Sequence, residues 1–264
     1  MTRRGLTLVE LLLVMAIVSS LIAISLPALV CVRNQAQAAV CVQNLKALSL
    51  AWLLYKDDND DRLVGGIAGN EPGDWVRIAT GNSAGTTAGE REGIRTGALF
   101  RYTDEAIDIY RCPADQRALA SGQTAFRSYS IAGGANGERY EDSYVPAQRY
   151  AEILMPAMKY IFVEEADPTG KNAGSWVLNP KTKAWVDPLA IWHSWSRSSL
   201  GYADGHAETH GWVDNSTIEM SKQQEFHYPV PADEGHDLRF MLSGFPQRLH
   251  DTSTSGVGAV SLSP

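Results

Sequence analysis

No Asp, Glu, Lys, Arg or His occurs from Leu11 to Val32, a gap of 22 residues in a chain whose overall charged fraction is 20%. A run that long, mostly Leu, Ile, Val and Ala, excludes an ordinary surface helix and would span about 33 Å as a helix, the thickness of a bilayer's hydrocarbon core. Cysteine is scarce, with three residues in 264; Cys31 lies inside the apolar run, so one pair at most, Cys41 and Cys112, is available beyond it. Basic residues are outnumbered, 23 against 30 acidic, which argues against a broad nucleic-acid-binding surface. Histidine is absent before His193, and no His-Glu-x-x-His occurs, so a helical zinc-protease site has no basis. The loop Asp57, Asn59, Asp61 alternates as calcium loops do, but it lacks the required Gly and has Ala68 where an EF-hand needs Glu; it reads as a solvated helix end.

What is present begins at the N-terminus. Arg3 and Arg4 precede the apolar run and Arg33 follows it, a bias toward a cytoplasmic N-terminus and an extracytoplasmic remainder. Glu10 stands at the mouth of the run, where a carboxylate costs roughly 2.5 to 3.5 kcal/mol on insertion scales and calls for a partner or a role. A cut between Gly5 and Leu6 would create an α-ammonium one helical turn from Glu10. That charge would meet Glu10 best between two staggered helices, where it would set their register. These residues, Gly5-Leu6-Thr7-Leu8-Val9-Glu10, resemble the leader of type IV pilins and type II secretion pseudopilins, with Leu6 where Phe is commonest. The resemblance implies cleavage after Gly5 by a prepilin peptidase, N-methylation of Leu6, and an assembly role for Glu10. Two other readings of the same stretch are an ordinary secretory signal with the small-residue site Ala36-Gln37-Ala38, and a lipoprotein at Cys31, which Val30 disfavours.

Beyond the run, Ala38, Cys41, Leu45, Leu48, Trp52 and Tyr55 alternate spacings of three and four, one stripe of a helix. A single helix from about Leu6 to Lys56 is expected, with residues 6–32 apolar all round and 33–56 packing one face on a domain. Pro27 removes a backbone bond inside it and should kink it; pilin-like proteins carry a proline at this distance from the cut. Residues 1–5 are the leader, 57–252 a globular domain with a Gly-rich excursion at 63–95 read as loop, and 253–264 a frayed tail.

Within the domain, Gly97 to Tyr102 and Asp237 to Leu242 are short helix candidates. Strand candidates are Arg127 to Ile131 and Lys159 to Glu165, with a hairpin over 176–186, and the stretch from Ile107 reads as a short strand or extended segment ending at Pro113. The clearest hairpin is Ser198 to Val213, in which Asp204-Gly205 as a two-residue turn would set Tyr202 opposite Ala207 and Leu200 opposite Thr209. His206, Glu208 and His210 would then share a strand face near Asp204, a weak candidate metal or hydrolase set; an exposed strand face is the plainer reading.

Two further stretches resemble long pilin-like proteins. Cys41-x-x-Asn44-Leu45-Lys46 with Cys112-Pro113-x-Asp115 matches their paired cysteine motifs, which implies a Cys41–Cys112 disulfide; two buried thiols is the alternative. His193 followed by Asp204-Gly205 resembles their His-spacer-Asp-Gly motif, with ten residues in the spacer instead of nine. The expected protein is α+β, a long N-terminal helix on an antiparallel sheet. By resemblance its function is structural rather than enzymatic, without cofactor. Its expected partners are the prepilin peptidase, the inner membrane and other pilin-like subunits in a pilus or pseudopilus. A membrane-tethered binding module or metal-dependent hydrolase is the other class that the sequence allows.

Overall fold

The computed structural model describes residues 7–119, 121–229 and 235–248; Gly5, Leu6 and the 253–264 tail lie outside them. Helix α1 (Leu8–Asp58) runs 51 residues without a break, through Pro27, a length of about 77 Å. Thr7 caps its N-terminus, and Lys56 in its last turn complements the carbonyl end. The first half is apolar on every side and carries exposed Leu, Ile and Val throughout. The second half buries a single stripe, Cys41, Leu45, Leu48 and Trp52, each with no accessible surface, as the three-and-four spacing requires.

After α1 come two short paired strands, β1 (Gly65–Gly69) and β2 (Asp74–Arg77), and helix α2 (Thr87–Arg95). The excursion read as loop is therefore structured. Thr86 caps α2 by accepting from Gly89 N–H at 3.0 Å, and the helix sits on β2 so closely that a Cβ at Gly93 would fall 2.0 Å from Arg77 O. Its glycines serve close packing as well as turns. Residues Phe100–Thr103 and Ile107–Tyr110 form 3-10 turns. The second replaces the expected strand: Tyr110 buries its ring against Trp75, centroids 5.9 Å apart, and its carbonyl accepts from Ser128 N–H.

The central sheet is antiparallel, ordered β3 (Tyr129–Ile131), β4 (Tyr160–Glu164), β7 (Arg197–Tyr202), β8 (Ala207–Gly211). The two-residue strands β5 (Leu178–Asn179) and β6 (Ala184–Trp185) make the expected small hairpin. Helices α3 (Asn215–Gln223) and α4 (His236–Gly244) close the chain. Helix α1 lies across one face of the sheet, forming a core with Phe162, Trp75 and Tyr110. The other face packs Tyr160, Val163 and Leu200 against Trp176, Trp185, Met220, Met241 and Phe245. Strand β4 is thus buried on both faces, which explains its continuous apolar run. The architecture is a pilin-like α+β fold, a hydrophobic helix start followed by packing on a four-stranded antiparallel sheet.

The β7–β8 register differs from expectation by one residue. Leu200 faces Glu208 and Gly201 faces Ala207, because the loop holds three residues, Ala203, Asp204 and Gly205. Tyr202 N–H closes it by bonding His206 O at 2.8 Å, and Gly205 takes φ +93°. An Asp-Gly pair served as the end of a three-residue loop, which needs its positive φ at the last position.

Candidate functional site

At the start of α1, Thr7 and Glu10 form a reciprocal capping box. Glu10 N–H donates to Thr7 Oγ1 at 3.3 Å, while Thr7 N–H and its hydroxyl donate to Glu10 Oε2 at 2.8 and 2.9 Å. Glu10 therefore has a hydrogen-bond partner within its own chain. Both donors reach a single carboxylate oxygen. From here to Val32 none of the apolar side chains with described burial is covered by the domain. This is one helix long and apolar enough to cross a membrane.

The second half of α1 holds a different kind of site. Asn44, one turn beyond Cys41, donates from Nδ2 to Arg111 O at 3.0 Å, and Gln37, one turn before, donates to Pro113 O at 3.1 Å. These two bonds clamp the 111–113 segment on the helix and bring Cys112 Sγ to 2.7 Å from Cys41 Sγ. The pair that resemblance implied is therefore adjacent, but both residues are free thiols; the expected disulfide is corrected on that point. The segment is braced from behind by Asp115, whose buried carboxylate is held bidentate by Arg117 (Nη2 to Oδ2, 2.8 Å; Nε to Oδ1, 3.0 Å) and by the Ser128 hydroxyl. Arg117 also donates to Asp167 O, Asn172 Oδ1 and Arg127 O.

His193 completes the approach. It precedes a tight loop in which Trp195 and Ser196 both have positive φ, closed by His193 N–H to Arg197 O at 3.1 Å. Its Nε2 lies 3.7 Å from Cys112 Sγ and 3.0 Å from Glu164 Oε1. Glu164, at the end of β4, is fully buried, and its Oε2 accepts from Ser199 N–H at 2.9 Å. Burial disfavours the imidazolium, yet hydrogen bonds to Cys112 and Glu164 and the carboxylate's charge lift His193 to about 10. Burial pushes the Cys112 thiol far up, with the Cys41 contact and the Glu164 charge acting in the same direction. Among the described residues, Cys41, Cys112, Glu164 and His193 are the one group whose sulfur, nitrogen and oxygen atoms converge, all within 4.8 Å.

The other singled-out residues are placed apart. Asp204-Gly205 lies at the far end of β7 from His193, about 20 Å along a six-residue strand, so the two parts of the motif do not meet. Asp204 Oδ1 bonds His206 Nδ1, and the His206 ring stacks on Tyr202 at 4.2 Å. His210 stacks instead on Phe240, 3.8 Å between centroids. Pentapeptide Gly81-Asn82-Ser83-Ala84-Gly85 has the spacing of a hydrolase nucleophile motif, but Ser83 sits in a 3-10 turn with its hydroxyl spent on Thr80 O at 3.0 Å; it is not a nucleophile elbow.

Compared with known proteins, residues 1–26 match the family model described as the prokaryotic N-terminal methylation motif. No curated protein and no solved structure matches the chain.

Proposed function

We propose that this chain is a prepilin-like structural subunit of a type IV pilus or type II secretion pseudopilus. It is cut after Gly5 by a prepilin peptidase, methylated on Leu6, held in the cytoplasmic membrane by the first half of α1 with its domain outside, and then drawn into a helical filament. The observation that carries this reading is the match of residues 1–26 to the methylation motif on a helix whose apolar half its own domain leaves uncovered. Such a surface is compatible with lipid or with like helices, and with little else.

Glu10 gives the reading its chemistry. In the isolated subunit the Thr7 cap satisfies one carboxylate oxygen. In a filament the remaining charge would meet the methylated ammonium of a neighbouring Leu6, a desolvated pair that fixes axial register. The wider domain then faces outward, carried by the second half of α1. Glu10→Leu is expected to insert in the membrane at wild-type level and to leave no filaments by electron microscopy of sheared cells. Unchanged filaments in that variant would refute the assembly mechanism.

A further inference from the structure

We propose that Cys41, Cys112, His193 and Glu164 bind a zinc-class divalent cation that clamps the second half of α1 to the sheet. The donors come from four separate segments: α1, the turn after Tyr110, the end of β4, and the loop entering β7. All four residues are buried, at 0, 0, 6 and 0% exposure. Buried ionisable groups cost several kcal/mol each unless they are paired; His193 and Glu164 pair with each other at 3.0 Å, and the same two groups converge with both thiols.

The donor set suits the ion. Two sulfurs, one imidazole nitrogen and one carboxylate oxygen are the ligand types of four-coordinate zinc. A tetrahedral ion with bonds of about 2.0 to 2.3 Å sets its donors about 3.3 to 3.8 Å apart. The Cys112–His193 separation of 3.7 Å falls in that range, and His193–Glu164 at 3.0 Å lies just below it. The sulfurs, 2.7 Å apart, must open by about 1 Å to bind. His193 Nε2 faces both the sulfur and the carboxylate, so once the proton it shares with Glu164 leaves, its lone pair points at the centre. On binding, each thiol loses its proton to solvent, and any proton on His193 leaves too.

Outer contacts are also in place. Ser199 N–H fixes Glu164 through its other oxygen, and Asn44 Nδ2 lies 3.5 Å from the Tyr129 hydroxyl beside Cys41. Such partners orient ligands and offset the negative charge that two thiolates and a carboxylate leave on a divalent ion. A cleft of about 260 Å³ between α1 and the β7 hairpin, lined by Ala38, His193, Trp195 and Arg197, opens on His193 and supplies an entry path. A disulfide would use the two sulfurs and give Glu164 and His193 no part.

The test is metal analysis of the full chain, purified in detergent from membranes of zinc-replete cells, with thiol titration alongside. The expected result is about one zinc per chain, two further thiols that react only once a chelator is added, and a thiolate-to-cobalt charge-transfer band after cobalt exchange. Cys31→Ser should keep the metal. Cys41→Ser and His193→Ala should lose it, and Glu164→Gln, close in shape, should retain its circular dichroism while binding cobalt at least about tenfold more weakly. A metal-free protein with a Cys41–Cys112 disulfide overturns the proposal. So does a protein with free thiols that takes up no cobalt, or metal retained when both cysteines are serine.

Discussion

Replacing Arg117 by Ala is expected to destabilise the domain by about 3 to 5 kcal/mol, the cost of leaving one member of a buried ion pair alone. The magnitude follows from what the guanidinium holds. Both side chains are nearly inaccessible, 5% and 0% exposed for Arg117 and Asp115. Removing the arginine leaves the Asp115 carboxylate with only the Ser128 hydroxyl and the backbone N–H of residue 117, and frees Asp167 O, Asn172 Oδ1 and Arg127 O of a donor. Urea unfolding of the detergent-solubilised chain can be followed by the fluorescence of its seven tryptophans. With a slope of about 2.5 kcal/mol per molar, the midpoint should fall by about 1.5 M. The double variant Asp115→Ala/Arg117→Ala should recover part of the loss, because no charge is then left unpaired. A midpoint shift below about 0.3 M for the single variant, or a double variant as poor as the sum of the singles, would refute the argument.

Trp52→Ala, which empties a fully buried position between α1 and the domain, should cost about 3 to 5 kcal/mol in the same unfolding assay; a loss under about 1 kcal/mol would mean that α1 is not docked as described. Gly205→Ala should destabilise by about 1 kcal/mol or more, through the φ of +93° and a Cβ placed 3.0 Å from Leu53; a neutral result would show that the loop tolerates another conformation. The Asp187 carboxyl is raised well above its ordinary range, first by burial and then by the charges of Glu165, Glu138 and Asp167, against the opposing bond from Val177 N–H. Because its folded pKa exceeds the unfolded one, its contribution is fully present below about pH 4 and is lost as pH rises from there toward the folded value. Asp187→Asn should therefore flatten stability against pH above about 4; an unaltered slope would contradict the assignment.

Helix α1 was legible because periodicity carries it. The stripe at Cys41, Leu45, Leu48 and Trp52 is the buried face, and the uncharged run before it is the uncovered half. Strand β4 was legible for its β-branched and aromatic density. Two features misled. Glycine density at 63–95 signals a loop when no packing information is available, yet at Gly93 it permits a helix to touch β2. An Asp-Gly pair signals a turn without giving its length, and one residue of difference moved every cross-strand pair in β7–β8.

For the buried cluster, Cys41, Cys112 and His193 were each singled out by motif, but nothing in the sequence joined His193 to the cysteines, the nearer of which, Cys112, is 81 residues away along the chain. Glu164 was missed. Its signal was available: a carboxylate at the end of a strand apolar on both faces needs a partner. The N-terminal site was the reverse case, with every residue named from sequence and only the Thr7 cap added by the structure.

The central claim, a prepilin-like subunit, is tested most directly by mass spectrometry of the mature N-terminus from purified membranes. The account predicts a chain beginning at Leu6 and carrying a methyl group on its α-nitrogen. A chain beginning at Ala39 or nearby, as an ordinary signal peptide would leave it, or one retaining Met1, would contradict it.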